Sequence, residues 1–383
     1  MALNLGSAGK LFVKKEGTYA DPAVTFAATD ALRHISFIPA FQPLNRVISP
    51  EKTAAAGVTA RFDRRRTAAL SSLEAVLRPS GVLNTLPEAD ELFECAFGSK
   101  RNVTLSTTIA VAGAGTTTQD DFTSVTGLAV GDAILLTRNS VKYVRVITAI
   151  AGSSVTWAPA LPSAMADGES VKGCLTYSCT TTLGLSLAIA HYLANFKEML
   201  LGLGANELTM TFDGNEEPRF SLSGQAADDK TATDVPAEPG AFTTVGGNPP
   251  SGLIGELLVN NTAYLFKRCE VMLSNSLRAR NSEYGVSVAT ESYRDGKREV
   301  KCSLTTFVEN QATLYDLARV GTPVSILKQT GRTEGNIIAL YLPKVDFDVP
   351  AIDDPDEAVS WSWTGTALAT ADGNNDEVRL ALA

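Results

Sequence analysis

A chain of 383 residues is longer than one hydrophobic core usually serves, so two or three packed modules are expected. Hydrophobic residues make up 44% and charged residues 20%, which excludes wholesale disorder, and the longest apolar runs (129–136 and 188–193) fall short of the ~20 residues of a membrane span. The formal net charge of −9 argues against a protein that grips phosphate backbones, yet an acidic wall suits a conduit along which a duplex passes without sticking.

Along the chain, 1–17 carries no apolar signal-peptide core. Residues 44–98 read as two strands, a third strand and a helix. The third strand, 67–77 (TAALSSLEAVL), alternates in part, and a turn at 79–81 leads to PEADELFECAFG. There Pro87 suits the first helical position, Glu88, Asp90 and Glu91 lie where the helix dipole favours carboxylates, and Gly98 suits the left-handed residue beyond the last turn. At 103–175 the composition turns abruptly to Thr, Ala, Gly and Val. Short β-segments (GDAILLTR, KYVRVITAI, SSVTWAPAL) separated by Asn139-Ser140 and Gly152-Ser153 predict a small inserted β-barrel or sandwich. Strands follow at 184–190, 196–203, 207–212 and 218–223, with Asp213-Gly214 as a turn. A Pro- and Gly-rich stretch, 226–252, reads as an extended linker.

The second part of the chain repeats this order. Residues 298–308 (REVKCSLTTFV) alternate as a strand, Asn310 caps the helix QATLYDLARVG, and Gly321 ends it as Gly98 ends the first. Strands are expected at 324–328, 337–342, 345–349 and 358–366. The pattern is therefore read as a degenerate duplication: a first domain in 1–102 and 176–225, the insertion at 103–175, the linker at 226–252 and a second domain at 253–383. The fold class is mainly β, two tandem β-sandwich units each flanked by a helix, plus the inserted domain.

Nothing in the sequence builds a catalytic or cofactor site. His34 and His191 are far apart and lack neighbours at metal-ligand spacing, and Cys174 and Cys179 are not spaced as a CxxC pair. The five cysteines are odd in number and read as reduced thiols of a cytoplasm. The glycine-rich stretches 112–118 and 202–206 do not end in Gly-Lys-Ser/Thr, and Ala188 stands where a nucleophile elbow needs its second glycine. No metal, cofactor or enzymatic activity is expected. Trp361 and Trp363 alternate in VSWSWTGTA and so share one strand face, in a sheet core or a subunit interface, with carbohydrate stacking as the alternative.

One dense basic cluster, Arg61, Arg64, Arg65 and Arg66, lies in the charged hairpin before the first unit's strand. Its counterpart, RARNSEYGVSVATESYRDGKR, holds Arg278, Arg280, Glu283, Tyr284, Arg294, Asp295, Lys297 and Arg298. Long hairpins bearing both charge signs at equivalent places are expected to contact neighbouring subunits, where complementary charge sets register and partner choice. Solvated loops and DNA binding are the alternatives.

The opening GKLFVKKEGTYADPA, the EADELFECAFG helix, FDGNEEPRFSLSGQA and the run from REVKCSLTTF to VPAIDD together resemble tail tube proteins of long-tailed phages, as does the closing WSWTGTALATADGNNDEVRLALA. The resemblance covers the chain outside 103–175 and the linker, and rests on the order of strands, helices and turns. It implies subunits whose inner sheets join into a continuous barrel around a lumen for DNA, in stacked rings within the virion tail. Two units per chain then imply a trimer with pseudo-sixfold symmetry, the hexamer being the alternative. Implied partners are adjacent rings and the terminator, distal tail and tape-measure proteins, with DNA only in passage and no membrane. The inserted domain would decorate the outside. Rival readings are another virion component (terminator, distal tail or decoration protein) or a carbohydrate-binding β-protein.

Overall fold

The computed structural model describes residues 8–42, 45–52, 57, 61–64, 67–111, 115–281, 283–307, 312–353 and 360–383. Alternating apolar and polar residues dictate a sheet with one buried face. Its first four strands lie in the spatial order Ser36–Gln42, Thr67–Val76, Arg219–Ala226 and Phe196–Asp213, all antiparallel. The sheet continues through Arg268–Ser274, Glu299–Phe307, Ser360–Ala367 and then Ile338–Phe347 with Ala351–Asp353.

The second four strands copy the first four in order and, apart from one extra residue in Thr67–Val76 opposite Ile38 and Pro39, in register. Gln42 faces Thr67 as Ser274 faces Glu299, and Phe37 faces Leu73 as Cys269 faces Leu304. Likewise Ala205 faces Gly224 as Phe347 faces Gly365, and Thr209 faces Ser221 as Ala351 faces Ser362. The two units meet where Phe196–Asp213 pairs with Arg268–Ser274, Thr209 opposite Met272.

Each unit is closed behind by a second sheet. In the first unit it contains Lys10–Lys15, Leu187–Leu193, the start of Phe196–Asp213 and Asp228–Thr231. In the second it contains Gly255–Val259, Val324–Thr330, the start of Ile338–Phe347 and Arg379–Leu382, extended by Leu175–Cys179 and Gly98–Asn102 from the first unit. Between the sheets lies a continuous core that includes Leu73, Phe93, Phe220, Leu273, Leu304 and Trp363. Removing each such side chain from water contributes about 1.5–3 kcal/mol.

Helix α1 (Asp90–Phe97) inserts Phe93 and Phe97 against Tyr177, and Phe93 also meets Phe220 with ring centroids 5.1 Å apart. It begins at Asp90 rather than at Pro87, because residues 87–89 form a turn closed by the Asp90 N–H on the Pro87 carbonyl, 3.1 Å. Asp90 is itself buried, accepting from the Tyr177 hydroxyl at 2.7 Å and from Lys100 at 2.5 Å. Gly98 follows with φ 97° and donates to the Glu94 carbonyl, the left-handed stop that the sequence predicts. Helix α2 (Ala312–Val320) ends at Gly321 with φ 72°. Asn310, the expected cap, lies outside the described residues.

Two expected pairs of strands are single strands. Phe196–Asp213 runs unbroken through residues read as a gap, because Gly202 turns the chain at φ 64° and a bulge follows between Ala205 and Glu207. The buried Glu16 carboxylate accepts the Gly202 N–H at 2.9 Å and fixes that bend, so one strand passes from the outer sheet into the inner one. Ile338–Phe347 makes the same passage. The stretch read wholly as a linker contributes the strand Asp228–Thr231, and its later part lies along the first unit, with Arg33 donating to the Val245 carbonyl and Phe242 against Phe12.

Residues 106–173 form a separate six-stranded sheet, and the Ile109–Phe122 bridge joins its two end strands into a small barrel. Asn139 and Ser140 both take positive φ (49° and 66°), the geometry of a tight hairpin turn. Although it leaves the first unit, the barrel docks on the second: Ala133, Leu135, Val144 and Val146 pack with Leu258, Leu327, Ala339 and Tyr341. Arg145, 0% exposed, pairs with Glu256 at 2.8 Å, while Lys142 and Lys172 both reach Glu334 at 2.8 Å.

Candidate assembly surface

The long inner sheet turns one face to the core and leaves the other polar. Strand alternation puts Ser221 and Ser223, Thr209 and Thr211, Ser303 and Thr305, and Ser362 and Thr364 on the polar face. Its charges are Glu74, Glu207, Asp213, Glu270, Glu299, Asp346 and Asp348 against Arg219, Arg268 and Lys301, so carboxylates predominate. Each of these three cations has an acidic neighbour: Arg219 meets Glu217 at 3.3 Å, Arg268 meets Glu270 at 2.6 Å and Lys301 meets Glu299 at 3.2 Å. The face thus offers phosphate little unspent positive charge.

The sequence-predicted interface residues divide by environment. Arg61 and Arg64 are the first and last positions of a strand paired with Asn45–Ile48, whereas Arg65 and Arg66 lie outside the described residues. In the counterpart hairpin, Leu277–Ala279 pairs with Ser292–Arg294. Arg278 pairs with Asp295 at 2.7 Å, Arg280 with Glu283 at 2.5 Å, and both pairs are largely exposed. Tyr284 and Lys297 are also exposed. Arg294 and Arg298 instead turn back onto the first unit. Arg294 donates to the carbonyls of Thr181 (2.8 Å) and Asn275 (3.2 Å), and Arg298, 4% exposed, donates to the Thr180 carbonyl (2.9 Å) and pairs with Glu377 (2.5 Å). These two arginines bind the second unit's hairpin to the first unit within one chain.

Sequence reasoning passed over the neutral groups that seat this hairpin. Asn206, at the strand bulge, accepts the Leu277 N–H on its side-chain oxygen (2.6 Å) and the Asn275 N–H on its carbonyl (2.7 Å). Asn275, 1% exposed, donates to the carbonyls of Ala96 (2.7 Å) and Ala205 (3.1 Å), and Gln225 accepts the Ala279 N–H at 2.8 Å. An Asn directly after the apolar run MLLGLGA was the available signal, since it breaks alternation where a bulge needs a local polar partner.

Trp361 and Trp363 do share a face and turn inward, ring centroids 5.4 Å apart. Trp363 is 0% exposed and donates to Thr306 Oγ1 at 3.1 Å, and Trp361 leans on Tyr315 of α2. His34 and His191, remote in sequence, meet with ring centroids 5.7 Å apart, and His191 Nδ1 lies 3.1 Å from Glu198. Burial, and then His191, holds the His34 imidazole below its ordinary pKa. Among the described residues no group of three His, Cys, Asp or Glu is placed to hold a metal ion, and all five cysteines are buried and free. No helix among the described residues is long and apolar enough to cross a membrane.

Fold and surface together define a tandem β-sandwich protein with a long inner sheet, one face of which is polar. A family model described as Phage tail tube protein matches residues 6–373, and the chain belongs to that family. It is a structural protein of the phage tail. No curated protein matches it.

Proposed function

We propose that this chain polymerises into stacked rings that form the tail tube, the conduit through which the genome is ejected. The carrying observation is the inner sheet: the second unit continues the first unit's sheet strand for strand, so one chain is already a two-unit arc with a polar face on one side and a core on the other. Three such chains give six units, which favours a trimeric ring with pseudo-sixfold symmetry over a hexamer. Closure leaves no exposed strand edge.

The domain division is proposed as read from the sequence, with Asp228–Thr231 joining the first unit's outer sheet. On this reading the inserted barrel, held on the second unit's outer sheet, faces away from the lumen. The exposed charges of Arg278, Arg280, Glu283, Asp295 and Lys297 and the hairpin of Arg61, Arg64, Arg65 and Arg66 bridge neighbouring subunits and rings. The acidic polar face lines the lumen and lets DNA slide.

Negative-stain microscopy of the overexpressed protein, with native mass spectrometry of released rings, tests this. Hollow tubes and three-chain rings are expected. A monomer that persists at high concentration would overturn the proposal.

A further inference from the structure

The boundary between the inserted barrel and the second unit contains a charged group that the docking contacts leave unspent. Beside the apolar contacts that join the two lies a cavity of about 390 Å³. Both sides wall it: Val146 and Ile147 come from the barrel, Tyr341 and Pro343 from Ile338–Phe347, and Thr370, Asn374 and Asp376 from the loop 368–378. Crevices between domains, at ~300–1,000 Å³, are common places for small-molecule sites.

Arg379 enters this cavity. It stands directly opposite Tyr341 in the outer sheet, so the two side chains share the sheet face that the barrel covers. Its guanidinium lies face-on over Gly131 of the barrel, where a Cβ would come within 2.7 Å of Cζ and of both terminal nitrogens. Gly131 also has φ 93°, a backbone that glycine adopts at no cost, so the barrel leaves room here for the flat group.

The neighbouring acids are all committed. Asp132, next to Gly131, accepts from Arg101 (2.7 and 3.1 Å) and from the Ala129 N–H (2.7 Å). Asp376 accepts the N–H (3.0 Å) and the hydroxyl (2.5 Å) of Thr370, and Glu377 pairs with Arg298 at 2.5 Å. Among the described residues the Arg379 guanidinium makes no hydrogen bond and no ion pair.

An open guanidinium fork suits a carboxylate, which two parallel N–H groups meet in its plane. The other polar groups on the cavity wall are of a different kind: the hydroxyls of Thr148, Thr370 and Tyr341 and the amide of Asn374. Burial, against the pull of Arg379, pushes the Tyr341 hydroxyl up to about 12, so at neutral pH it is an uncharged donor. Asp376 restricts the charge of the ligand, because a phosphate dianion would bring two negative charges to one cation beside a carboxylate. A fatty acid would cover these hydroxyls and the amide without replacing their bonds to water, whereas a hydroxylated carboxylate replaces them.

We propose that this cavity binds a uronic acid, free or as a unit of an acidic polysaccharide, with its carboxylate on Arg379 and its hydroxyls on Thr148, Asn374 and Asp376. The C–H side of the sugar ring then rests on Val146, Ile147 and Pro343. The inserted barrel supplies one wall of the site, and the site does not depend on ring closure.

The test is saturation-transfer NMR on the full chain, with galacturonate, trigalacturonate, galactose and inorganic phosphate as probes. Galacturonate should bind at least about tenfold more tightly than galactose, which lacks only the carboxylate, and phosphate at equal concentration should not displace it. Binding of the trimer several-fold tighter than the monomer assigns the site to a polysaccharide, and equal binding assigns it to the free sugar. Arg379→Gln should weaken galacturonate at least about tenfold while leaving the unfolding midpoint unchanged, since the guanidinium makes no bond within the fold, and Arg379→Lys should recover part of the loss. Thr148→Phe, at an exposed position of the barrel, should block the cavity from its other wall without altering the second unit. Absence of galacturonate binding, displacement by phosphate at equal concentration, or binding unchanged by Arg379→Gln and Thr148→Phe would each overturn the site.

Discussion

Lys328 is 2% exposed, yet its ammonium sits 4.7 Å from the Phe266 ring centroid and 5.9 Å from that of Phe212, donating to the Gln329 carbonyl at 3.0 Å. Burial lowers its pKa from an ordinary 10.5 to about 8, against a weaker upward pull from Cys269 and Glu256. Between those two values the unfolded chain binds a proton that the folded chain does not, so stability rises as pH rises through about 8 to 10.5. At neutral pH the folded protein carries the unfavourable charge. Lys328→Met is therefore expected to stabilise the chain by about 2 kcal/mol at pH 7 and to flatten the rise above pH 8, measured by denaturant unfolding across pH. Loss of stability at pH 7 would mean that the aromatic contacts outweigh desolvation. Nothing in GTPVSILKQT marks this lysine as buried, because alternation alone does not say that residue 328 lies over the junction of two units.

Two glycines at equivalent places carry the same information from the opposite side. A Cβ on Gly224 would lie 2.1 Å from the Gly204 carbonyl oxygen, and one on Gly365 would lie 2.7 Å from that of Asp346. Both clashes are with backbone, so the neighbouring strand would have to move. Gly224→Ala and Gly365→Ala should each cost about 2–4 kcal/mol, seen as a lowered unfolding midpoint. The pair was readable: SLSGQA and SWTGTA match serine for serine and glycine for glycine, although the surrounding text shares little.

At the scale of elements, strands whose two faces differ were legible and elements that change partners were not. Thr67–Val76, Glu299–Phe307 and both helices follow directly from alternation and end signals. Phe196–Asp213 was split because its first part is buried on both faces and its second on one, so the period changes within a single strand. The charged hairpins were found, but their division into outward and inward arginines was not, since a carbonyl acceptor such as that of Thr180 has no sequence signature. That division is testable. Arg298→Ala removes a nearly buried guanidinium and strands Glu377, 16% exposed, at a cost of about 3 kcal/mol, whereas Arg278→Ala breaks an exposed pair with Asp295 and should cost less than about 1 kcal/mol. Similar losses from both variants in urea would remove the distinction.

For the whole molecule, the barrel at 106–173 ties together what the chain separates, leaving the first unit and packing on the second through Arg145, Lys142 and Lys172. The change of composition at 103–175 falls where this sheet lies, yet its docking site could not be read, because the partners Glu256 and Glu334 are remote in sequence. The inner sheet meanwhile presents a wall of hydroxyls and excess carboxylate, and the net charge of −9 was the first sign of it. If that wall faces DNA, its sign should govern sliding. Glu207→Lys, Asp346→Lys and Glu299→Lys in combination would turn three repulsive positions attractive, each adding up to one phosphate contact. Tubes of the triple variant should then retain duplex DNA at about 50 mM salt and release it as salt rises, with the logarithm of affinity falling by up to about 2.7 per decade of salt more than for unmodified tubes. Since none of the three has a partner buried in the core, the variant should still fold and assemble. Retention equal to that of unmodified tubes would place the polar face away from the DNA path.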